Sequence, residues 1–435
     1  MTLKLWRMLM NESATTTSSI QKRRIIYLVF ATIALLIIGL IYAWSLFAKP
    51  IGAEYADYKS MLSQVFQVSM LVFCISALFG AQIYKRISPR AAIFVAAISL
   101  GVGFVGTALL TSLSVWILFI FYGLFAAAGV GIAYNAIISL VNQWFPDRTG
   151  VSSGVMMMGF GISALAFGSL ANAAFEVIDW PIVFIIIGVV GIVVLAAVGL
   201  VVRPAPTDIA SQLGMKSTAV TVKDSPTKSQ FILRTKTFWL YSIWSTFIVV
   251  CGLTLIGSNM QGAEVVGVGP IIAPLLVGTF STMNGIGRII NGALFDRFGL
   301  LPVMILAAGI ATLSMVGLAL SFGLMSEGFS PFIYVVVVFL YGFAYGSAPV
   351  MGASFARRRF KASDFAKNLS IINCNIAVAS VINLIIAAFL GAPDAGNGTV
   401  IYTLLAVLMA LAMLSLLVFS RVYKKDIATI NEELQ

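Results

Sequence analysis

The 435-residue chain contains no histidine and only three cysteines, and just 10% of its residues are charged. The missing imidazole excludes histidine general-base catalysis, histidine metal ligands and histidine proton relays. Cys74, Cys251 and Cys374 lie in separate apolar stretches without a CxxC pair, which predicts thiols packed in helices rather than a zinc or redox site. A GxxxxGK[ST] phosphate loop is also missing. We therefore expect no enzyme, no cofactor, no metal and no ATP-driven motor.

Apolar residues, by contrast, make up 60% of the chain, and its mean hydropathy is +1.02. Soluble domains are typically about 45–50% apolar and about 25% charged. A soluble protein of this size could not cover so much apolar surface, so the composition predicts a polytopic protein embedded in the lipid bilayer. The net charge of +11 would suggest nucleic acid for a soluble protein. Here the charges fall between the apolar stretches, and we expect no nucleic-acid partner.

Twelve apolar stretches are long enough to cross a bilayer as single helices, which rise about 1.5 Å per residue. The predicted spans are 25–47, 61–84, 91–110, 115–141, 150–174, 181–202, 237–258, 271–295, 301–322, 331–355, 368–392 and 400–422. The longest polar segment follows the sixth span. The sequence therefore predicts an all-α membrane protein of two six-helix bundles that face each other across a cavity.

The basic residues predict how the chain is oriented in the membrane. Nearly all of the 27 Lys and Arg residues lie in the two tails and in the loops on one side. Because basic loops stay in the cytoplasm, we expect both termini in the cytoplasm. We expect the protein in the inner (plasma) membrane of the cell, and a monomer is the default oligomeric state. The expected segments are a cytoplasmic tail (1–24), a first bundle (25–202), a cytoplasmic linker (203–236), a second bundle (237–422) and a cytoplasmic tail (423–435).

One loop carries a recognisable motif. Between the eighth and ninth spans the chain reads Gly292-xxx-Asp296-Arg297-Phe298-Gly299. This resembles the loop signature of the major facilitator superfamily, which implies the major facilitator fold of twelve helices. In that superfamily the Asp–Arg loop braces neighbouring helices on the cytoplasmic side. The resemblance therefore makes Gly292, Asp296 and Arg297 the expected cytoplasmic gating loop.

Further stretches are similar to one group within the superfamily, the oxalate/formate exchangers, which are related to the proton-coupled monocarboxylate transporters. These stretches are Tyr42–Phe47, Gly129–Tyr134, Asn142–Arg148 and Phe238-Trp239. The loop of the first half that matches the Asp–Arg loop reads Lys85-Arg86-Ile87-Ser88-Pro89-Arg90 and has no acidic residue. Bracing by an acid–base pair is therefore not expected there.

Arg288 is the one charged residue that the spans place deep in the membrane. An arginine near mid-bilayer costs roughly 2.5–3.5 kcal/mol on insertion scales, and no span core offers an acid to offset it. Ser281, Asn284 and Asn291 share one helical face with Arg288. A guanidinium fits a carboxylate bidentately, which favours an anion site, and in the resembling family an arginine at this place contacts the substrate carboxylate. The alternative is a structural arginine bonded to backbone carbonyls.

This chain lacks charged residues that the resembling families carry, and these differences restrict the substrates that we expect. Oxalate exchangers carry a second cation, a lysine in span eleven, where this chain has Ile376. One cation suits a monoanion, whereas two suit a dianion. Proton-coupled carriers have an aspartate at the position of Asn284 and a lysine at that of Leu46. Without a titratable group in the core, exchange or facilitated diffusion of an anion is simpler than proton symport.

Several aromatic residues are candidates for the wall of the cavity, where rings with polar tips would enclose a small carboxylate. For each of these residues the alternative is that its ring only packs between helices and does not contact the substrate. The candidates are Tyr42, Trp44, Tyr134, Phe160 and Tyr345.

Three functions remain open on the sequence. The leading one is a transporter of small organic anions such as formate, lactate or pyruvate. A proton-driven exporter of drugs or other small molecules is less favoured. Such exporters carry a Gly-Pro element in their fifth span, whereas span 150–174 has no proline, and Arg288 would repel lipophilic cations. The third is an anion sensor that kept the carrier fold without transporting.

Overall fold

The computed structural model describes residues 2–55, 59–109, 114–147, 149–206, 208–213, 231–324, 328–360 and 365–434. Within these ranges all regular structure is helical. The helices of the first half are α1 (Thr2–Ile38, a 3-10 segment Gly39–Ala43 and Trp44–Glu54), α2 (Lys59–Ile87), α3 (Pro89–Ala108), α4 (Trp116–Leu118, a π segment Phe119–Ala126 and Ala127–Asn142), α5 (Thr149–Ser163, a π segment Ala164–Gly168 and Ser169–Ala174) and α6 (Trp180–Val201).

The second half follows a short helix, Ile209–Gln212, and a 3-10 turn, Ile232–Arg234. Its helices are α7 (Lys236–Val265), α8 (Ile272–Phe298), α9 (Leu300–Gly323), α10 (Ser330–Tyr345 and Ser347–Arg359), α11 (Phe365–Leu390) and α12 (Gly398–Leu434). Each predicted span corresponds to one helix, but α1 begins well before its predicted span and α12 continues from the predicted end at 422 to Leu434.

Helix α1 begins at Thr2, well before the predicted first span. The polar segment 2–24 contains neither glycine nor proline, so nothing in it stops the helix from continuing beyond the membrane. Eleven helices of the described chain are long and apolar enough to span a membrane, and α8 falls outside this set. Its polar residues, Asn284 and Arg288 among them, lower its mean hydropathy, although its 27 residues are long enough to cross.

The two halves repeat the same internal packing. Helix α3 packs on α6 as α9 packs on α12, and α2 packs on α4 as α8 packs on α10. The halves meet along α2–α11, α5–α8 and α1–α7. The cavity expected from the sequence would lie between the two halves, along these contacts.

The described parts of the two tails and of the linker lie on one side of the molecule, which we call the terminal side. Ion pairs on this side join helices of the same half, since Arg24 of α1 contacts Asp147 after α4, and Arg359 Nε of α10 lies 3.1 Å from Asp426 Oδ2 of α12. The Trp144 indole likewise donates to a carbonyl just after α6. These contacts hold each bundle together without joining the two bundles.

Helices α5 and α8 diverge toward the terminal side. Far from it, a Cβ atom placed on Gly278 would lie 2.3 Å from Leu165 Cα, so the two backbones touch. Nearer the middle, a Cβ atom on Gly285 would lie 3.6 Å from Met158 Cγ. Close to the terminal end of α5, a Cβ atom on Gly154 would meet no described neighbour within 4 Å. The seam is thus closed on the side opposite the termini, the closed side, and wider at the terminal side.

Ser88, between α2 and α3, holds a backbone conformation that favours glycine. Its φ and ψ are 77° and 147°, and Gly299, at the equivalent position between α8 and α9, has a φ of 83°. Non-glycine residues in this region cost about 1–3 kcal/mol. The Ser88 hydroxyl offsets part of this cost by accepting a hydrogen bond from the Ala91 amide at 3.3 Å.

Replacing Ser88 with Gly is expected to stabilise the protein by about 1 kcal/mol, because relief of backbone strain exceeds the few tenths lost when a cap becomes glycine. Thermal unfolding in detergent measures the change. Ser88→Ala keeps the strain and loses the cap, so it should lower the melting temperature. An equal response to both substitutions would contradict the strain.

Candidate functional site

The site is built on a close crossing of α8 and α10. A Cβ atom on Gly287 would lie 2.4 Å from the Phe343 carbonyl oxygen, and one on Gly346 would lie 2.4 Å from the Asn284 carbonyl oxygen and 2.8 Å from the Arg288 nitrogen. Only glycine allows backbones to approach this closely. The crossing therefore fixes the α8 backbone at Arg288 against α10.

Asn291 ties the same two helices together. It is fully buried, and its Nδ2 donates to the Gly287 carbonyl at 2.7 Å and to the Phe343 carbonyl at 3.3 Å. It stands one turn beyond Arg288 and faces α10. Asn291 thus braces α8 against α10, and its predicted role in substrate binding stays a prediction.

Arg288 is half-buried and is surrounded by neutral polar groups. Its Nε lies 3.4 Å from Oδ1 of the buried Asn284, and the Tyr134 hydroxyl lies close enough to interact electrostatically with its guanidinium. The hydroxyls of Tyr42 and Tyr345 lie close enough to interact electrostatically with the same charge. Over the described residues, no carboxylate forms an ion pair with Arg288. The site therefore presents an uncompensated positive charge within a ring of phenols.

These phenols come from both halves of the molecule. Four rings of the first half, one each from α1, α2, α4 and α5, pack edge to face or stacked, with centroids 5.1 Å apart for Tyr42–Phe160, 5.1 Å for Tyr134–Phe160, 5.7 Å for Phe73–Tyr134 and 6.2 Å for Phe73–Phe160. In the second half, the Tyr345 ring packs on Phe280 at 5.8 Å. Any solute held by Arg288 therefore contacts both bundles.

Sequence reasoning missed two residues of this wall. Phe73 is an ordinary apolar residue of span two, and its place beside Tyr134 and Phe160 depends on contacts between helices distant in sequence. Gly252 of α7 lies under the Tyr345 ring, because a Cβ atom there would be 2.3 Å from Tyr345 Cε2. A glycine inside an apolar span is the one signal that could have pointed to this close approach.

Trp44 lies away from the charged centre. Its side chain is fully buried in the first bundle, its indole Nε1 donates to the Leu62 carbonyl at 2.7 Å, and its ring lies 4.3 Å from that of Tyr122. Residues two apart on a helix do not share a face, so Tyr42 and Trp44 point in different directions. Tyr42 thus lies near Arg288, and Trp44 lies in the packing of the first bundle.

Asp296 and Arg297, which the sequence predicts in a loop, lie in the last turn of α8 and are exposed at the terminal side. Arg297 lies over the Phe298 ring at 5.2 Å, and Arg358 of α10 lies over Phe295 at 4.6 Å. Within the described residues Asp296 makes no ion pair. The contact of Arg358 with the Phe295 ring therefore connects this end of α8 to α10. Gly292, one turn back, faces α10 at ordinary van der Waals distance.

Twelve helices in two internally similar bundles, with a polar centre between them, define a membrane transporter of the two-bundle class. The sequence profile of the Major Facilitator Superfamily matches residues 28–333, and the chain belongs to this family. The family resemblance seen in the sequence and the predicted fold are both confirmed.

Individual relatives add detail. The chain is 26% identical over 344 residues to the oxalate:formate antiporter of Oxalobacter formigenes, which covers 77% of this chain and 79% of the relative. It is 25% identical over 257 residues to monocarboxylate transporter 12-B of Danio rerio, with 53% of each chain covered. The xylose transporter of E. coli, in a partially occluded inward-open conformation, shares the fold with a TM-score of 0.69, at 16% identity over 90% of this chain and 97% of the other.

Proposed function

We propose that the protein transports small organic anions, in particular monocarboxylates of the size of formate, lactate or pyruvate, and that Arg288 pairs with their carboxylate. The observation that carries this proposal is the half-buried Arg288 charge, which lacks an acidic partner in the described chain and is ringed by tyrosine hydroxyls of both halves. A carboxylate would supply the missing negative charge with two parallel hydrogen bonds. The tyrosine hydroxyls would orient it.

Charge neutralisation also suggests how binding drives transport. When the bundles close around an unpaired arginine, its charge is removed from water at a cost in free energy. When the arginine is paired with a carboxylate, this cost is smaller and the bundles close more easily. Binding therefore shifts the population toward conformations in which both halves contact the solute. We propose alternating access on this basis, with Gly292, Asp296 and Arg297 at the end of α8 as a gating element of the terminal side.

The charge count of the wall favours a monoanion. Ile376, at the place of the second cation of oxalate exchangers, is partly buried and packs on the apolar core. The remainder of α11 from 368 to 390 also carries no charge. A second carboxylate would therefore be buried without a cation, which is costly.

The basic loops favour a terminal side that faces the cytoplasm of the cell, with the protein in the inner membrane. In that orientation the wider seam between α5 and α8 opens inward. No acid lies in the span cores, so we propose exchange or facilitated diffusion in preference to proton symport.

Counterflow in proteoliposomes tests the function. Vesicles preloaded with unlabelled formate, lactate, pyruvate or oxalate are given the labelled form of each anion. We expect accelerated uptake of at least one monocarboxylate and weaker acceleration with oxalate. Binding without counterflow would indicate a sensor, and flat traces with all four anions, followed by transport of amphipathic drugs, would indicate an exporter.

Tyr134→Phe is expected to raise the half-saturating carboxylate concentration about two- to tenfold, the equivalent of one net hydrogen bond. The ring and its packing on Phe160 remain, so the maximal rate should change less. Tyr122→Phe is the matched control, because Tyr122 also lies on α4 but its hydroxyl points to the Ile41 carbonyl at 3.5 Å. Equal effects of the two substitutions on half-saturation would contradict a role for the Tyr134 hydroxyl.

A further inference from the structure

A small polar cavity lies where α2 of the first half meets α7 and α11 of the second half. Its volume is about 20 Å³, which is room for one occupant the size of a water molecule. The turn after α11, residues 391–393, forms part of its wall, so it lies toward the closed side, and Arg288 does not line it. Five lining side chains are polar, and they are Ser63 and Gln67 of α2, Thr254 and Ser258 of α7, and Asn383 of α11. Both halves therefore contribute polar groups to one cavity.

Gln67 brings an unsatisfied acceptor to this cavity. The residue is 4% exposed, and its Nε2 donates to the Leu253 carbonyl of α7 at 3.4 Å. Its Oε1 is buried and accepts no hydrogen bond from the described part of the chain. The amide cannot turn over, because Oε1 would then face the Leu253 carbonyl oxygen. A buried acceptor without a donor is costly, so this atom favours an occupant that carries positive charge.

The other three buried side chains use their donors within the protein. Asn383 Nδ2 donates to the Val250 carbonyl at 2.9 Å, and Ser258 Oγ donates to the Thr254 carbonyl at 2.7 Å. Thr254 Oγ1 has one proton and two acceptors within reach, the Val250 carbonyl at 3.0 Å and Asn383 Oδ1 at 2.9 Å. A hydroxyl that has donated its proton presents only lone pairs. The wall therefore offers oxygen acceptors, which favours a cation over an anion.

The chemistry of these oxygens selects the kind of cation. All five polar side chains are neutral hydroxyls or amides, and the described chain has no cluster of His, Cys, Asp and Glu that could hold a metal ion. Ca²⁺ is bound largely through carboxylates, and transition metals favour imidazole or thiolate ligands. An organic ammonium exceeds the volume of the cavity. Neutral oxygens in a space of this size suit a small monovalent cation such as Na⁺.

We propose that this cavity binds one Na⁺ ion through the oxygen atoms of its polar side chains. The ligands are Gln67 Oε1, Thr254 Oγ1, Ser258 Oγ and Asn383 Oδ1, with Ser63 in the same wall. They come from both halves, so the bound ion stabilises the conformation in which α2 lies against α7 and α11. The proposal goes beyond carboxylate transport and does not depend on it. A failed counterflow assay therefore leaves the ion site intact.

Sodium binding is tested on the full-length protein in detergent. Radiolabelled Na⁺ should bind saturably, with one ion per chain. NaCl that replaces choline chloride at constant ionic strength should raise the melting temperature by at least about 2 °C, because an ion that binds only the folded state stabilises it. KCl should raise it less. Equal melting temperatures in NaCl and choline chloride, without saturable binding, would mean that the cavity holds only water and would overturn the proposal.

Substitutions of the ligands locate the ion. Gln67→Leu removes one ligand oxygen at similar volume and should raise the half-saturating Na⁺ concentration at least about tenfold. The melting temperature in choline chloride should change little, because the unsatisfied acceptor is removed as well. Thr254→Val removes a second ligand oxygen with little change of shape and should weaken Na⁺ binding in the same way.

Gln261→Leu is the matched control. Gln261 Oε1 is also buried without a hydrogen-bond partner in the described chain, but the residue does not line the cavity. This variant should therefore keep the response of the wild type to Na⁺. An equal loss of the response in Gln261→Leu and Gln67→Leu, or an unchanged response in Gln67→Leu and Thr254→Val, would overturn the proposal.

Discussion

Replacing Arg288 with Gln is expected to reduce carboxylate counterflow by at least about 100-fold. Glutamine retains hydrogen-bonding groups but loses the charge and the planar fork, and each hydrogen bond to a charged group contributes about 1.5–3 kcal/mol. Arg288→Lys keeps the charge without the fork and should retain part of the activity. Initial rates of labelled uptake into proteoliposomes measure both effects.

Stability distinguishes the functional arginine from a structural one. An arginine that serves a substrate is costly to the folded protein, so Arg288→Gln should leave the melting temperature unchanged or raise it. A structural arginine bonded to carbonyls would make the same variant less stable. Arg421→Gln, at an exposed position of α12, is the matched control and should transport normally. Undiminished counterflow in Arg288→Gln would exclude the proposed site.

Gly346→Ala is expected to destabilise the protein by about 3 kcal/mol and to abolish transport. The new methyl group would lie 2.4 Å from one backbone atom of α8 and 2.8 Å from another, and backbone atoms cannot move aside as a flexible side chain can. Overpacking of this kind typically costs about 1–3 kcal/mol. Since binding sites tolerate only about 0.5 Å of displacement, α8 would carry Arg288 out of register with the tyrosines. Thermal unfolding and counterflow measure the two consequences.

Gly309→Ala is the control for this prediction. Gly309 lies in helix α9 of the same half, and a Cβ atom there would meet nothing within 4 Å. The same substitution should therefore be neutral or stabilise the helix by about 0.5–1 kcal/mol. Similar losses at both positions would show that the α8–α10 crossing is not the cause.

The twelve helices could be predicted because the thickness of the bilayer sets the length of each apolar run. Arg288 could be identified because a charge inside a span is rare and costly. The partner of each helix could not be predicted, since apolar periodicity shows which residues face inward but not which helix they meet. Phe73 and the Lys49–Glu264 pair depend on such partners.

The helical pattern of a single span also could not predict which partners neighbouring side chains contact. Tyr42 and Trp44 belong to the same motif, yet the first faces the charged centre and the second packs on Tyr122. The polar stripe of α8 divides in the same way, because Asn284 faces Arg288 while Asn291 bonds to α10. Helical spacing gave the common side of the helix, but the close crossing with α10 decided which side chain met which partner.

Because the seam between α5 and α8 widens toward the terminal side, we expect the apparent affinity for solute to differ between the two sides of the membrane. In the proposed alternating-access cycle, solute at the terminal side would reach Arg288 in the conformation described above, whereas solute at the other face would depend on the minority of molecules open to that face. The apparent affinity from that face is the intrinsic affinity multiplied by the fraction of molecules in this minority. A fraction of about one in a hundred therefore raises the half-saturating solute concentration about 100-fold. A substitution that changes this fraction, without any contact to the solute, would therefore reset the concentration range over which the carrier works from one face.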